Sequence, residues 1–283
     1  MELSAAEIRA AVAHALREDV GSGDATTLAT VPRNLAATAL LRAREPLVVA
    51  GIEFAEIAFR LRSRNLKLER LLKDGGQARA GQTVLKISGA AHAILTAERV
   101  ALNFVQRLSG VATATAAYVA AVAGTRARIL DTRKTTPGWR RFEKYAVFCG
   151  GGRNHRVGLF DMVLIKDNHL AALRREKPNA IAAAVARARK KFPQLEVEVE
   201  ADALSQVAQA VAAGADIILL DNMTLSQLRA AVRLAAGRAS TEASGGVSLA
   251  TVRDIARTGV DFISVGAITH SARAVDLGLD FVE

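Results

Sequence analysis

The chain has 283 residues, 51% hydrophobic and 23% charged, a composition that excludes a disordered or low-complexity protein. Its length allows two domains or one α/β barrel, and a core of this size needs no disulfide or metal to hold it. The 38 Lys and Arg residues outnumber the 28 Asp and Glu, and the net charge of +10 leaves three partners open: nucleic acid, an acidic membrane or a small polyanion.

The cysteine content and the N-terminus bear on the compartment. The single cysteine, Cys149, forms no intramolecular disulfide, and we expect a buried thiol and not a nucleophile. The first residues, Met1-Glu2-Leu3-Ser4, lack the cation and apolar core of a signal peptide. The charge-free stretch Leu108–Thr125 is too weakly hydrophobic to span a bilayer and predicts a buried or interface helix. We therefore expect a soluble, cytoplasmic protein with no membrane partner.

The first hundred residues predict an α+β domain, because amphipathic helices and β-type runs occur there without regular alternation. The predicted helices are Ala5–Leu16, Gly51–Leu61 and Thr96–Leu108, and the predicted strands are Ala36–Ala43, Pro46–Val49, Leu66–Leu72 and Gln82–Ser88. The turn residues Ser109–Gly110 suggest the border of this domain. We predict an N-terminal α/β sandwich over 1–109, with a C-terminal tail, 271–283, that packs back on it.

From Arg128 onward, short β-type runs alternate with Ala-rich helical runs. The predicted strands are Arg128–Asp131, Asp161–Ile165, Leu195–Val199, Asp216–Leu220, Ser240–Ala243 and Asp261–Val265, and the predicted helices are Asn179–Phe192, Ala203–Ala213, Thr224–Ala236 and Ser248–Thr258. A helix between two strands is the crossover that makes the strands parallel. Nearly every strand ends in a polar residue, as in barrel enzymes, so we predict an incomplete, open α/β barrel over 110–270.

Cations follow the first strands of this barrel. Arg133 and Lys134 come directly after a strand, where a guanidinium can grip a carboxylate beside a point charge; the alternative is an ordinary basic surface loop. Three glycines then precede His155 and Arg156, which favours anion binding. Lys166 follows the next buried strand, a costly place for an unpaired ammonium. We expect these five side chains to hold a ligand that carries carboxylates.

Carboxylates follow the later strands. Glu196, Glu198 and Glu200 alternate with apolar residues, so they share one face, which is either a solvated edge or the barrel interior with Glu200 nearest the mouth. Asp221 and Glu242 lie at or near the ends of the next two strands. Hard oxygen ligands suit Mg²⁺, and Glu200 with Asp221 could hold it together with phosphate oxygens. The alternatives are contacts to sugar hydroxyls or to developing positive charge.

Small residues follow the last two strands. Ser244-Gly245-Gly246 precedes a predicted helix, and Gly266-Ala-Ile-Thr-His270 comes after the final strand. Phosphate sites in barrels are commonly built from the loops after the last two strands, with backbone N–H groups at a helix start. These turns therefore predict a phosphate subsite on one side of the mouth.

The motifs together resemble those of the quinolinate phosphoribosyltransferase (nicotinate-nucleotide pyrophosphorylase, carboxylating) family. They are DTRKTTPG, EKYAV, GGGRNHRVGL, LIKDNH, EVE, LLDN, EASGG and VGAITH, in this order along the chain. The likeness extends from Glu18–Thr26 to Leu277–Phe281. It implies a type II phosphoribosyltransferase-like fold and the transfer of a phosphoribosyl group from phosphoribosyl pyrophosphate to quinolinate. The products are nicotinate mononucleotide, pyrophosphate and CO₂, on the de novo route to NAD.

The resemblance also implies roles for individual residues, with Mg²⁺ as the cofactor. Those assigned to quinolinate are Arg133, His155, Arg156 and Lys166, with Lys134 nearby and with Arg99 lent across the interface of a homodimer or higher oligomer. Those assigned to phosphoribosyl pyrophosphate are Glu200, Asp221, Ser244, Gly245, Gly246, Gly266 and His270. We expect Lys134, Lys166, Glu200 and Asp221 to be catalytic, and Glu200 and Asp221 to contact the metal. No departure from the family pattern occurs at these positions.

Two alternative functions are less consistent with the sequence. A related molybdenum-transport-associated group shares this fold, but the intact set of carboxylate-binding cations favours the quinolinate enzyme. A basic nucleic-acid-binding protein would use exposed aromatic residues for stacking, and aromatics are only 4% of this chain. The sequence therefore predicts small-molecule substrates and no nucleic-acid partner.

Overall fold

The computed structural model describes residues 1–282. The chain divides into two units. The first contains 1–116, 137–151 and the residues from Ser271 on, and the second contains 117–136 and 152–270. Among residues 1–282, no helix combines the length and the apolar character that a bilayer crossing requires.

Helices and strands are numbered along the chain. Residues up to 121 form α1 (Ala5–Val20), α2 (Ala25–Thr30), β1 (Ala36–Ala43), β2 (Leu47–Val48), α3 (Ile52–Arg62), β3 (Lys67–Arg70), β4 (Gln77–Ala78), β5 (Thr83–Ala90) and α4 (Ala91–Ala121). Later residues form β6 (Arg128–Leu130), α5 (Arg140–Cys149), β7 (Val163–Ile165), α6 (Asp167–Ala172), α7 (Ala180–Lys191), β8 (Val197–Ala201), α8 (Leu204–Ala213), β9 (Ile217–Asp221), α9 (Leu225–Ala235), β10 (Ser240–Ser244), α10 (Val252–Ala256), β11 (Phe262–Ser264), α11 (Ala267–His270) and β12 (Leu277–Val282).

The first unit is built on a four-stranded antiparallel sheet in the order β12-β1-β5-β3. Leu41 on β1 faces Leu279 on β12, so the C-terminal residues form an edge strand of this sheet. Helix α1 begins at a capping box in which Ser4 and Glu7 exchange hydrogen bonds. It buries Ile8, Val12 and Leu16, whose spacing of four places them on one face.

The sequence border at Ser109–Gly110 lies inside α4, which continues unbroken to Ala121. Gly110 allows a close approach of two backbones, because a Cβ atom there would lie 2.0 Å from the carbonyl oxygen of Arg273. The Ser109 hydroxyl accepts a hydrogen bond from the Ala50 amide at 3.0 Å. Both residues are therefore packing contacts within the first unit, which explains why a turn-like pair is helical here. The charge-free stretch begins with buried residues of this helix, Leu108 to Ala112.

Helix α5 also lies in the first unit, although its sequence comes between two barrel strands. The aromatic rings near its N-terminus explain this placement. Trp139 stacks on Phe104 at a centroid distance of 5.0 Å, and Phe142 meets Phe54 edge-on at 5.1 Å. Apolar packing of this kind links residues that are far apart along the chain, and local sequence patterns do not reveal it.

The second unit contains a parallel six-stranded sheet in the order β6-β11-β10-β9-β8-β7. Its edge strands, β6 and β7, do not pair with each other, which confirms an α/β barrel that is open on one side. All six strands lie where the alternation predicts them, within two residues at either end. Because the strands are parallel, their carboxyl ends meet at one edge of the sheet.

Strand β8 settles the orientation of the glutamates. Val197 and Val199 are fully buried, and β8 pairs with strands on both sides, so it is not a solvated edge. Glu198, on the opposite face, is fully buried inside the barrel, and Glu200 follows toward the mouth. Glu196 differs from the prediction, because it precedes the strand and is exposed at the other end of the barrel.

Candidate active site

A cavity of about 770 Å³ opens at the carboxyl ends of the barrel strands. Residues at or after the carboxyl ends of all six strands line it, as expected for an enzyme of this architecture. The predicted site residues among its walls are Arg133, Lys134, His155, Arg156, Lys166, Glu200, Asp221, Ser244, Gly245 and Gly246. The additional polar residues are Thr132, Asp167, Asn222, Glu242 and Ser264.

Asp131, at the end of β6, anchors the segment that carries His155 and Arg156. This carboxylate is fully buried. It accepts hydrogen bonds from the Asn154 amide at 2.6 Å and from the His155 backbone N–H at 2.8 Å. The backbone N–H of Arg153 donates to the Ile129 carbonyl at 2.9 Å, so the backbone of this segment is also hydrogen-bonded to β6. The strand therefore fixes a segment that has no regular secondary structure of its own.

His155 and two glutamates form a largely buried group at the cavity, and His155 and Glu242 contribute to its wall. His155 Nε2 lies 2.9 Å from Glu198 Oε2 and 3.8 Å from Glu242 Oε2. The side chain of His155 is only 8% exposed, and those of Glu198 and Glu242 are 0% and 1% exposed. Burial, followed by the negative charge of Glu198, raises the pKa of the Glu242 carboxyl well above its ordinary value. The shift favours the protonated form of Glu242.

Arg133 and Arg156 are half-buried and supply positive charge to the cavity. Among residues 1–282, each has a buried Nε atom without a hydrogen-bond partner. Burial, followed by the like charge of Arg133, lowers the pKa of the Arg156 guanidinium from its ordinary value. A guanidinium remains protonated at neutral pH, so the cost of its burial is relieved by an anion that binds here. The two side chains are therefore suited to bind an anionic ligand.

Lys166 and Glu200 form an ion pair at the mouth, with 2.7 Å between Lys166 Nζ and Glu200 Oε2. Lys166 ends β7 and Glu200 lies near the end of the neighbouring strand β8, which explains their contact. Asp221 ends the next strand, β9, and lines the same cavity. Two carboxylates fit Mg²⁺ when phosphate oxygens complete the shell, because protein sites for Mg²⁺ commonly use one or two carboxylates plus substrate phosphates.

The turn after β10 closely approaches the turn after β9. Gly245 has a φ of +94°, and a Cβ atom there would lie 2.1 Å from Asn222 Oδ1. Asn222 itself has a positive φ of 54°, and its backbone N–H donates to the Ser244 carbonyl at 2.9 Å. Only glycine fits at position 245, for both backbone and steric reasons. Sequence inspection missed Asn222, although it is part of the LLDN motif.

Gly266 and His270 lie beside the cavity and not in its wall. A Cβ atom on Gly266 would lie 3.1 Å from His270 Nε2 and 3.3 Å from Lys134 Cδ, so these three residues are neighbours. The Thr269 hydroxyl donates to the Lys134 carbonyl at 2.7 Å and holds the two loops together. The helix predicted over Ser248–Thr258 is shorter in the structure, because α10 runs only from Val252 to Ala256 and Ser248 with Thr251 forms a turn before it.

Arg99 and Cys149 lie outside the second unit. Arg99 is part of α4 in the first unit and is absent from the cavity wall described above. Cys149 ends α5, and burial raises the pKa of its thiol to about 12. A thiol that stays protonated is a poor nucleophile, in agreement with the structural role expected for this cysteine.

Comparisons with known proteins point to one family. The model of the quinolinate phosphoribosyl transferase C-terminal domain matches residues 111–280, and that of the N-terminal domain matches residues 24–109. A nicotinate-nucleotide pyrophosphorylase (carboxylating) of Mycobacterium leprae is 44% identical over 278 residues, 96% of each chain. A chloroplastic protein of that name from Arabidopsis thaliana is 44% identical over 96% of this chain and 82% of its own length. The crystal structure of NadC from Streptococcus pyogenes superposes with a TM-score of 0.94 at 42% identity, covering 100% of both chains.

Proposed function

The chain belongs to the quinolinate phosphoribosyltransferase family, and from this premise we propose that the barrel cavity is where it carries out the reaction of that family. The enzyme transfers a phosphoribosyl group from phosphoribosyl pyrophosphate to quinolinate, with decarboxylation, and gives nicotinate mononucleotide. The observation that carries the assignment is the set of cations at one mouth, two of them guanidinium groups with unpartnered buried Nε atoms.

Quinolinate is a pyridine with two carboxylates, and the cation side of the cavity suits it. Arg133 and Arg156 offer planar forks for carboxylates, and Lys134 and Lys166 add point charges. Lys166 already contacts Glu200, so it lies between this cation side and the carboxylates of the neighbouring strands. We assign direct contact with quinolinate to these four cations. His155 differs from them, because both of its ring nitrogens contact other protein groups.

Phosphoribosyl pyrophosphate fits the opposite side. Ser244, Gly245 and Gly246 form a glycine-rich turn whose backbone can approach a phosphate, and Gly266 with His270 stands beside Lys134. Glu200 and Asp221 would hold the ribose and Mg²⁺. When bound, the ion supplies charge neutralisation for the departing pyrophosphate.

The chemistry needs positioning and charge more than a covalent nucleophile. As pyrophosphate leaves C1 of the ribose, positive charge develops on the sugar, and Glu200 and Asp221 stabilise it electrostatically. The clamped pyridine nitrogen then forms the new C–N bond at close range. When the adjacent carboxylate departs as CO₂, the electron pair of the C–CO₂ bond stays on the ring carbon, where the neighbouring pyridinium charge stabilises it, and that carbon then takes up a proton.

We further propose a homodimer in which Arg99 of the partner subunit reaches quinolinate, and a cytoplasmic location. Both rest on the sequence resemblance. Relatives in this family carry chloroplastic and mitochondrial names, so the compartment varies among them. The molybdenum-transport-associated alternative is not favoured, because the curated relatives carry quinolinate and nicotinate-nucleotide names.

The function is tested by incubating the protein with quinolinate, phosphoribosyl pyrophosphate and Mg²⁺ and measuring nicotinate mononucleotide by chromatography. We expect product from quinolinate and none when nicotinate replaces it, because nicotinate lacks the second carboxylate that the cation set is built to bind. A folded protein that uses nicotinate and not quinolinate would contradict the assignment.

A further inference from the structure

Both ring nitrogens of His155 are engaged within the protein. Its Nδ1 accepts a hydrogen bond from the backbone N–H of Arg156 at 2.8 Å, and its Nε2 lies 2.9 Å from Glu198 Oε2. With Nδ1 as the acceptor, a neutral ring carries its proton on Nε2 and donates it to Glu198. The imidazole could bind a substrate carboxylate only by breaking one of these bonds. Its contacts instead connect the barrel interior to the backbone of Arg156.

Glu242 neighbours both Glu198 and His155, and its side chain also borders the cavity. The two glutamates lie on β8 and β10, with β9 between these strands, and both side chains are essentially unexposed. Among residues 1–282, neither oxygen of Glu242 has a donor at hydrogen-bond geometry, and the Ser264 hydroxyl, which favours the ionised form, outweighs neither burial nor the charge of Glu198. In its protonated form, which burial and the charge of Glu198 favour, Glu242 has an O–H group to donate to Glu198. Glu198 then receives hydrogen bonds from His155 on one side and from Glu242 on the other, which fixes its orientation.

We propose that Glu242 is a positioning residue that, through Glu198, fixes the ring of His155 and with it the backbone that carries Arg156 into the quinolinate subsite. The inference rests on the proposed function, since that function assigns the subsite. It gives His155 a role different from direct contact with substrate. It also explains why two acidic side chains occupy the barrel interior, where apolar residues would otherwise be expected.

A divalent metal is the competing occupant of this group. One donor atom each from His155, Glu198 and Glu242 lies within 4.8 Å of the others, the spacing of a possible metal site. An ion there would have to break the 2.9 Å contact between His155 and Glu198. It would also sit close to the positive charge of Arg156, which interacts with Glu198. We therefore assign hydrogen bonding to this group, and metal content becomes an outcome of the test.

Two neutral variants of similar size separate positioning from space-filling. E242Q keeps a donor for Glu198, because its amide N–H replaces the acid O–H, whereas E242M fills the volume without any donor. The first readout is the tautomer of His155, followed by ¹⁵N NMR of the ring nitrogens and assigned with an H155N variant. We expect the Nε2–H tautomer in the wild type and in E242Q and a mixture of tautomers in E242M.

The second readout is the pair of Michaelis constants. We expect E242M to raise the KM for quinolinate about tenfold, the effect of one weakened charge-assisted contact, and E242Q to rescue most of that loss. The KM for phosphoribosyl pyrophosphate should change less than about twofold, since that substrate occupies the other side of the cavity. E196Q is the matched control, because Glu196 is exposed at the opposite end of the barrel and should alter neither constant.

Three results would overturn the proposal. One is an unchanged His155 tautomer in E242M. Another is an equal loss in E242Q and E242M, which would assign Glu242 an ionised or purely space-filling role. The third is a stoichiometric metal in the purified protein that is lost in E242Q. Failure of the proposed function is distinct from these, because it would appear as no product from wild-type protein while the tautomer readout still behaves as expected.

Discussion

Arg133 and Arg156 are the residues on which substrate choice depends most. Each brings a guanidinium group into the cavity with a buried Nε that the protein leaves without a partner. Glu198 and Asp161 offset part of this charge at Arg156, but burial and Arg133 still lower its pKa. A bound dianion replaces the solvation that these groups have lost. The same pair would bind a monocarboxylate less well, which links the residues to selectivity.

The first prediction concerns Arg133. R133A should weaken quinolinate binding by about 2–5 kcal/mol, the usual effect of truncating one partner of a buried charge pair. R133K should recover only part of this affinity, because an ammonium cannot form the bidentate contact. The measurement is isothermal titration of each variant with quinolinate. An exposed arginine of the same unit, Arg257, provides the control variant R257A, and equal affinities for R133A and wild type would contradict the assignment.

The second prediction concerns Cys149, whose thiol pKa is raised to about 12 by burial. The raised value keeps the thiol protonated at pH 8, so iodoacetamide should label the native protein far more slowly than the denatured one. C149A should retain activity, because the residue lies in the first unit and supplies no charge to the cavity. Rapid native labelling accompanied by loss of activity would refute this.

At the scale of elements, strand ends and the turns after them explain the site. Each of β6 to β11 ends at the cavity, and the end of the strand or the loop after it contributes polar side chains to the wall. This could be predicted from sequence, because strand–helix alternation imposes parallel strands and so places their ends together. The pairing of His155 with Glu198 could not be predicted in the same way, because it depends on side-chain directions across a sheet whose order differs from chain order.

The third prediction concerns the turn at Gly245. G245A forces a Cβ into the position of Asn222 Oδ1, so the turn must shift, and the KM for phosphoribosyl pyrophosphate should rise at least about tenfold. The matched control is G237A, at a glycine with a φ of 75° and open space around it. This variant should cost about 1 kcal/mol of stability and leave both Michaelis constants unchanged. Steady-state kinetics together with thermal unfolding separate the two effects, and unaltered kinetics in G245A would remove this turn from the site.

At the scale of the whole molecule, the part of the net charge of +10 that bears on function lies at one site. Four cations lie around one cavity, and the proposed substrates are both polyanions. The open barrel and most of its strand limits could be predicted from sequence. The assignment of α5 to the first unit and the continuation of α4 through Gly110 could not, because both depend on contacts with residues distant in sequence, such as Phe54 and Arg273.

The fourth prediction concerns assembly. The protein should elute with a mass of at least about twice the 29.9 kDa of one chain, as measured by light scattering. R99A and E200Q should each be nearly inactive alone, and mixing them under subunit exchange should restore part of the activity, because a mixed dimer holds one site with both residues intact. The control is either variant exchanged with itself. An active monomer, or no recovery on mixing, would contradict the role of Arg99 across an interface.

The most direct test of the central claim follows the carboxylate that the reaction releases. Quinolinate labelled in its 2-carboxyl group is incubated with the protein and Mg²⁺, with and without phosphoribosyl pyrophosphate. We predict release of labelled CO₂ only when phosphoribosyl pyrophosphate is present, in equal amount to the nicotinate mononucleotide formed. A folded protein that releases no label, or releases it without phosphoribosyl pyrophosphate, would contradict the account.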